Sequence, residues 1–216
     1  MPMTLAELEA EVISLKKQVA GLAWTKDYLE IWKLMSQYAH LYHIGKRKEV
    51  VNLFAQKTPG VTMEIEDSGV YEGIDSISRF WNTVFAEKRM MTAGFLAIHM
   101  TVNPVIEINR AGTMAKGLWH SHGFCSIGGA KTAQFLCLGK YDMEYVKEDG
   151  QWKFFKFNYR LTFMCPYEKG WVDEPVGASI AGNQDNIPDK PTTYHMPYNK
   201  HRINVMQPPP PEPYKD

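Results

Sequence analysis

Four histidines carry the first chemical signal in this sequence: His43, His99, and the pair His120 and His122 in the run Trp119-His120-Ser121-His122. His99 stands between Ile98 and Met100 in an alternating stretch, and His120 and His122, two residues apart, share one face of the following strand. His43 closes a helical pattern that also carries Tyr38 and Tyr42. Histidine exchanges a proton near neutrality, and a tyrosine hydroxyl polarises or protonates an oxygen. An imidazole and a phenol in one cavity therefore support elimination, isomerisation or retro-aldol cleavage. The expected catalytic groups are His99, Tyr42, Tyr38, His43, His120 and His122, with Trp119, Tyr141, Tyr159, Phe80 and Trp81 as an aromatic lining for the substrate.

Two rivals bear on the same residues. His120-x-His122 with His99 from the adjacent strand resembles an open metal site, but no acidic residue stands at a matching position in those strands, so no metal is expected. A lone strand histidine is often only a packed residue, and the same cavity without chemistry would make a ligand- or peptide-binding module. Burying four histidines among tyrosines without a use costs stability unless each finds a partner, and this favours the enzyme reading. The chain contains no G-x-S-x-G, P-loop or G-x-G-x-x-G, which disfavours hydrolase, nucleotide and dinucleotide chemistry and leaves cofactor-free proton transfer.

Composition narrows the partners. Lysine plus arginine equals aspartate plus glutamate at 24 each, so no long-range field draws the chain to nucleic acid or to an anionic membrane. A small, mainly apolar molecule suits it better. Cys125, Cys137 and Cys165 cannot all pair and form no C-x-x-C, as in a reducing cytoplasm. The N-terminus mixes leucine with glutamate and has no apolar run of signal or membrane type, so a cytoplasmic protein is expected.

These groups need elements to hold them. Leu5, Leu8, Val12, Leu15, Val19 and Leu22 step by three and four as a heptad seam, expected to pack on its own domain, with a dimerisation zipper as the alternative. A second helix, capped at Thr25 and stopped at Gly45, offers Ile31, Leu34, Met35, Tyr38, Leu41 and Tyr42, and a short third helix spans 46–55. Strands over 61–66 and 70–71 precede a helix after Gly73, capped at Asp75 or Ser76, with Ile77, Phe80, Trp81, Val84 and Phe85 on one face. From residue 95 the period becomes two, over 95–109, 113–127, 132–147 and 151–164, an antiparallel meander turned at Gly112, Gly128-Gly129 and Asp149-Gly150. Such long strands curl, and helices across the concave face give an α+β cone with a closed bottom. Residues 1–171 form this domain. Residues 172–216 form a proline-rich arm expected to lie partly ordered against a neighbouring subunit or over the cone's mouth.

From about Thr4 to Trp171 the chain resembles the SnoaL-like branch of the NTF2-like superfamily, above all its dehydratases of the bile-acid 7α-dehydratase and scytalone dehydratase groups. The resemblance rests on the leucine-glutamate helix, Gln37-Tyr38-Ala39-His40-Leu41-Tyr42-His43-Ile44-Gly45-Lys46, Ile98-His99-Met100 before Asn103-Pro104, Ala115-Lys116-Gly117-Leu118-Trp119, and Gly139-Lys140-Tyr141 leading to Asp149-Gly150-Gln151-Trp152. It implies an NTF2-like cone, a strongly curved and mainly antiparallel sheet whose cavity the N-terminal helices close. It also implies an apolar cavity, no cofactor, and a homotrimer or homodimer. It gives His99 the role of general acid or base, Tyr42 or Tyr38 that of activating the leaving group, and places His120 or His122 near a second catalytic position. Where those dehydratases carry an aspartate after the helix tyrosine, this chain has His43, which cannot hold a negative charge. Other members release formaldehyde from lignin-derived aromatic dimers, an alternative the pocket would also suit.

Overall fold

The computed structural model describes residues 3–84, 91–129, 132–178 and 187–215. One helix, α1 (Leu5–His43), opens the chain where two were expected. Thr4 starts it with a capping box: its hydroxyl accepts the Glu7 N–H, and the Glu7 carboxylate accepts the Thr4 N–H. The expected break at Thr25 is absent, because the Thr25 hydroxyl donates to the Gly21 carbonyl inside the same helix. No proline interrupts the run, and two apolar stripes of different phase share a single rod. The stop at Gly45 forms as expected, with φ 71° and its N–H on the Tyr42 carbonyl.

Only the C-terminal half of α1 is packed. Asp27 anchors it, accepting from Lys147 Nζ at 2.5 Å and Trp152 Nε1 at 3.0 Å. Ile31, Leu34, Met35, Tyr38 and Tyr42 are buried beyond it. The leucine seam, expected to pack on its own domain, is exposed along its whole length. At about 100° per residue the seam and the buried stripe point to different sides of the rod, so a helix docked by one cannot dock the other on the same sheet.

The remaining elements are α2 (Arg47–Val51), β1 (Thr62–Ile65), β2 (Val70–Glu72), α3 (Gly73–Thr83), β3 (Leu96–Ile108), β4 (Met114–Ile127), β5 (Ala133–Glu148), β6 (Gln151–Pro166) and α4 (Gly170–Asp173). They form an α+β fold on one curved, unclosed sheet of order β2-β1-β6-β5-β4-β3. The β3 to β6 meander is antiparallel as expected, and the β1–β6 pair is parallel. α3 begins at Gly73 behind Glu72 rather than at Asp75 or Ser76; the Ser76 hydroxyl instead donates to Asp189 of the arm. Phe85 lies outside the described residues.

Along β4 and β5, Trp119, Ser121, Cys137 and Tyr141 point inward to the helices, and their neighbours His120, His122 and Lys140 point outward. The arm runs over this outer face. Lys190 bridges to Val70, Thr193 and Arg160 hold the buried Glu64 carboxylate, and Lys140 Nζ donates to the carbonyls of Met206 and Pro208 at 3.3 and 3.0 Å. No helix among the described residues is long and apolar enough to cross a membrane.

Candidate active site

His99 lies on β3, the edge strand of the sheet, with its ring turned inward. Its position opposite Gly123 makes this possible, since a Cβ there would stand 2.9 Å from both His99 Nδ1 and Cys137 Cβ. Gly139 clears room for the Tyr159 ring in the same way, at 2.6 Å. An edge strand exposes backbone donors, and His43 answers one of them: its Nε2 accepts the His99 N–H at 2.8 Å. Burial, then the nearby His99, hold the His43 pKa below its ordinary value. With Nε2 accepting, the His43 proton sits on Nδ1.

The side chains around His99 come from four elements. Tyr42 of α1 has its ring centroid 5.6 Å from the imidazole, and Tyr159 of β6 is at 6.0 Å. Tyr38 stands one turn deeper, its hydroxyl 3.4 Å from that of Tyr141, packed edge-on to Phe154 and Phe157. Trp81 of α3 closes against both helix tyrosines. Burial pushes the hydroxyls of Tyr38, Tyr42, Tyr141 and Tyr159 well above the ordinary tyrosine range, so all four stay protonated at neutral pH. Of the two candidate helix tyrosines, Tyr42 is the one beside His99.

Sequence reasoning missed one carboxylate. Glu66, the residue after β1, takes a left-handed conformation, φ 55°, with its N–H on the Tyr159 carbonyl. Strand alternation predicts an outward side chain at 66; the positive φ turns it inward instead, and the residue is only 5 % exposed. Burial first, and then the Asp67 charge, push its carboxyl up to about 8. The turn residues Asp67-Ser68-Gly69 were the available signal, since a tight turn is where a non-glycine residue takes such a φ.

Tyr38, Tyr42, Ile65, Glu66, Trp81, His99, Tyr141 and Tyr159 enclose a cavity of about 30 Å³. Among the described residues, buried polar atoms on its lining side chains, Glu66 Oε2, His99 Nδ1 and the Tyr159 hydroxyl, have no hydrogen-bond partner. The other imidazole nitrogen, Nε2, lies 3.5 Å from Cys125 Sγ, which itself receives the Cys137 thiol at 3.8 Å. The Cys137 thiol, and after it His99, hold the Cys125 thiol below its ordinary value. All three cysteines are free.

The expected set therefore divides. His99, Tyr42, Tyr38, Tyr141, Tyr159 and Trp81 meet around the cavity, and His43 touches it through the His99 backbone. His120 and His122 stand on the other face of the sheet, because the inward positions of β4 are Trp119, Ser121 and Gly123. Burial and the neighbouring Lys140 lower the His120 pKa there. The same alternation keeps His99 and the His120-x-His122 pair from sharing one ion. Trp119 donates its indole N–H to Tyr145 at 2.9 Å, away from the cavity, and Phe80 packs on Tyr71 behind it.

A model of the SnoaL-like domain matches residues 24–158. No curated protein sequence matches the chain. Among solved structures, a provisional scytalone dehydratase from Novosphingobium aromaticivorans DSM 12444 is 18% identical, covers 73% of this chain and 97% of its own, and has a TM-score of 0.56. A hexachlorocyclohexane dehydrochlorinase (LinA) of type 2 is 19% identical over 68% of this chain and 92% of its own, with a TM-score of 0.57. The type-3 LinA of Novosphingobium barchaimii LL02 is 20% identical over 68% and 93%, with a TM-score of 0.56. At these identities the likeness is one of fold. With the family model spanning more than half of its residues, the chain belongs to the SnoaL-like domain family.

Proposed function

We propose that this protein is a cofactor-free lyase acting on a bulky, hydroxylated, mainly apolar small molecule, aromatic or steroid-like, by dehydration or by retro-aldol cleavage such as formaldehyde release from a lignin-derived aromatic dimer. The observation that carries the reading is the group of unpartnered buried atoms, Glu66 Oε2, His99 Nδ1 and the Tyr159 hydroxyl, on side chains that line one small cavity. Buried polar groups are nearly always paired, and an unpaired one calls for a partner such as a bound water or a substrate group. A site of about 30 Å³ holds one water-sized group, which suits the leaving oxygen of an elimination.

In the dehydration, His99 takes a proton from carbon at Nδ1, its Nε2–H resting on the Cys125 sulfur. The C–H electron pair forms the double bond, the C–O bond breaks, and Glu66, protonated at neutral pH, gives its proton to the departing oxygen, which leaves as water. Tyr42 orients that oxygen. Glu66 thus supplies, from the β1–β2 turn, the carboxyl group whose place after the helix tyrosine is taken by His43. The bulk of the substrate lies outside the small cavity, and the same reading includes a homotrimer or homodimer in which the arm's exposed Ile203 and Val205 meet a neighbour.

One observation favours the second reading, a non-catalytic binding module: the rings of Tyr38, Trp81 and Tyr141 fill most of the space between helix and sheet. A screen of hydroxylated aromatic and steroid-like compounds, followed through turnover and through affinity, separates the two. The lyase reading expects His99→Ala to lose about 10²–10⁴-fold in turnover while still binding the compound. Binding without turnover by the unaltered protein across the screen would support the module instead.

A further inference from the structure

Along one seam the N-terminal half of α1 presents the apolar side chains Leu5, Leu8, Val12, Leu15, Val19 and Leu22, between 41% and 74% exposed, with Ile13 exposed beside it. Their spacing alternates three and four without interruption, and they stop where Asp27 ties the helix to the sheet. The rod between Leu5 and Leu22 extends about 26 Å along its axis. Among the described residues, nothing from the same chain covers the seam.

The identities along the seam specify its occupant. With Leu5 at position a of the heptad, Val12 and Val19 take the later a positions and Leu8, Leu15 and Leu22 take d, the arrangement that favours two parallel strands. The flanking positions agree. Glu11 falls at g and Lys16 at the following e, so in a parallel pair each Glu11 meets the Lys16 of the other copy, twice by symmetry. The other flanking pairs, Thr4 with Glu9 and Gln18 with Ala23, bring no like charges together. An apolar stripe of this size is unfavourable in water, and a second copy offers a surface of matching shape and charge.

We propose that two copies of this chain associate through residues 5–22 of α1 as a parallel, in-register coiled coil, holding two SnoaL-like domains at the same end of the pair. The interface is separate from the cavity and does not rest on the proposed reaction.

The test uses the full chain. Val12→Asp with Val19→Asp should lower the mass by light scattering to half that of the unaltered protein, with an unchanged circular dichroism spectrum in the sheet region. At low ionic strength Glu11→Lys and Lys16→Glu should each weaken association several-fold, and the two together should restore it. Under mild oxidation Leu8→Cys should give a covalent dimer that neither Ala10→Cys nor the unaltered protein gives. Leu8→Cys cross-linking only when mixed with Val19→Cys would show an antiparallel pair and overturn the proposal. So would an unchanged mass in the double aspartate variant, or no rescue by the charge swap.

Discussion

Replacing Glu66 by glutamine should make the protein more stable at neutral pH and less active. In the fold the carboxyl titrates at about 8 against an ordinary 4.5, because burial and the Asp67 charge disfavour the anion. A carboxyl raised in this way contributes fully below pH 4.5, and its contribution is lost as pH rises towards 8, at ~1.36 kcal/mol per pH unit. At pH 7, about two and a half units above the unfolded value, the loss comes to about 3 kcal/mol. Glutamine has the same shape and never ionises, so Glu66→Gln should gain that amount at pH 7 and nothing at pH 4. For a chain of this size each kcal/mol moves the midpoint by about 2–4 °C, so the variant should melt roughly 6–12 °C higher at pH 7. Urea unfolding of both proteins at pH 4, 5.5, 7 and 8.5 reads the difference directly and needs no substrate. Parallel curves across that range would refute the buried, proton-holding carboxyl, as would a Glu66→Gln variant less stable at pH 7. A gain in stability with a loss of turnover is the exchange expected where an active site keeps an unpaired group for chemistry.

Gly123→Ala should cost about 1–3 kcal/mol by crowding the His99 ring and Cys137, and should lower turnover more than a surface substitution of equal cost. His43→Leu removes the acceptor for the His99 N–H and should destabilise by about 1–3 kcal/mol, with His43→Gln recovering part of the loss in thermal unfolding. Glu148 accepts the N–H groups of Gln56, Lys57 and Thr58, which overcome burial and hold its carboxyl down at about 2. Its contribution is present above pH 4.5 and fades as pH falls towards 2, so Glu148→Gln should destabilise at pH 7 and lose most of that effect in unfolding measured near pH 2.

The four long strands, their glycine turns and the helix stop at Gly45 were legible in the sequence, because strand period and turn chemistry are local properties of the chain. His99 and the two helix tyrosines were legible to the same depth, but not the choice between them: a helical period put Tyr38 and Tyr42 on one face, and a period of two put His99 on a strand. Local rules could not supply the phase of that alternation relative to the helices. His120 and His122 share a face as expected, and the tertiary structure makes it the outer one, because the bulky Trp119 and the small Gly123 both serve the inside. Two stripes of different phase looked like two helices, and only the assembled fold shows one continuous helix that docks on the sheet from Asp27 onward. Glu66 is the clearest case of what the fold alone decides. Alternation sends residue 66 outward, but one backbone angle just after β1 turns its carboxyl into the cavity, and burial among tyrosines then sets its proton affinity. Position, neighbours and dielectric are properties of the assembled structure, and they decide which of the residues capable of chemistry face one another.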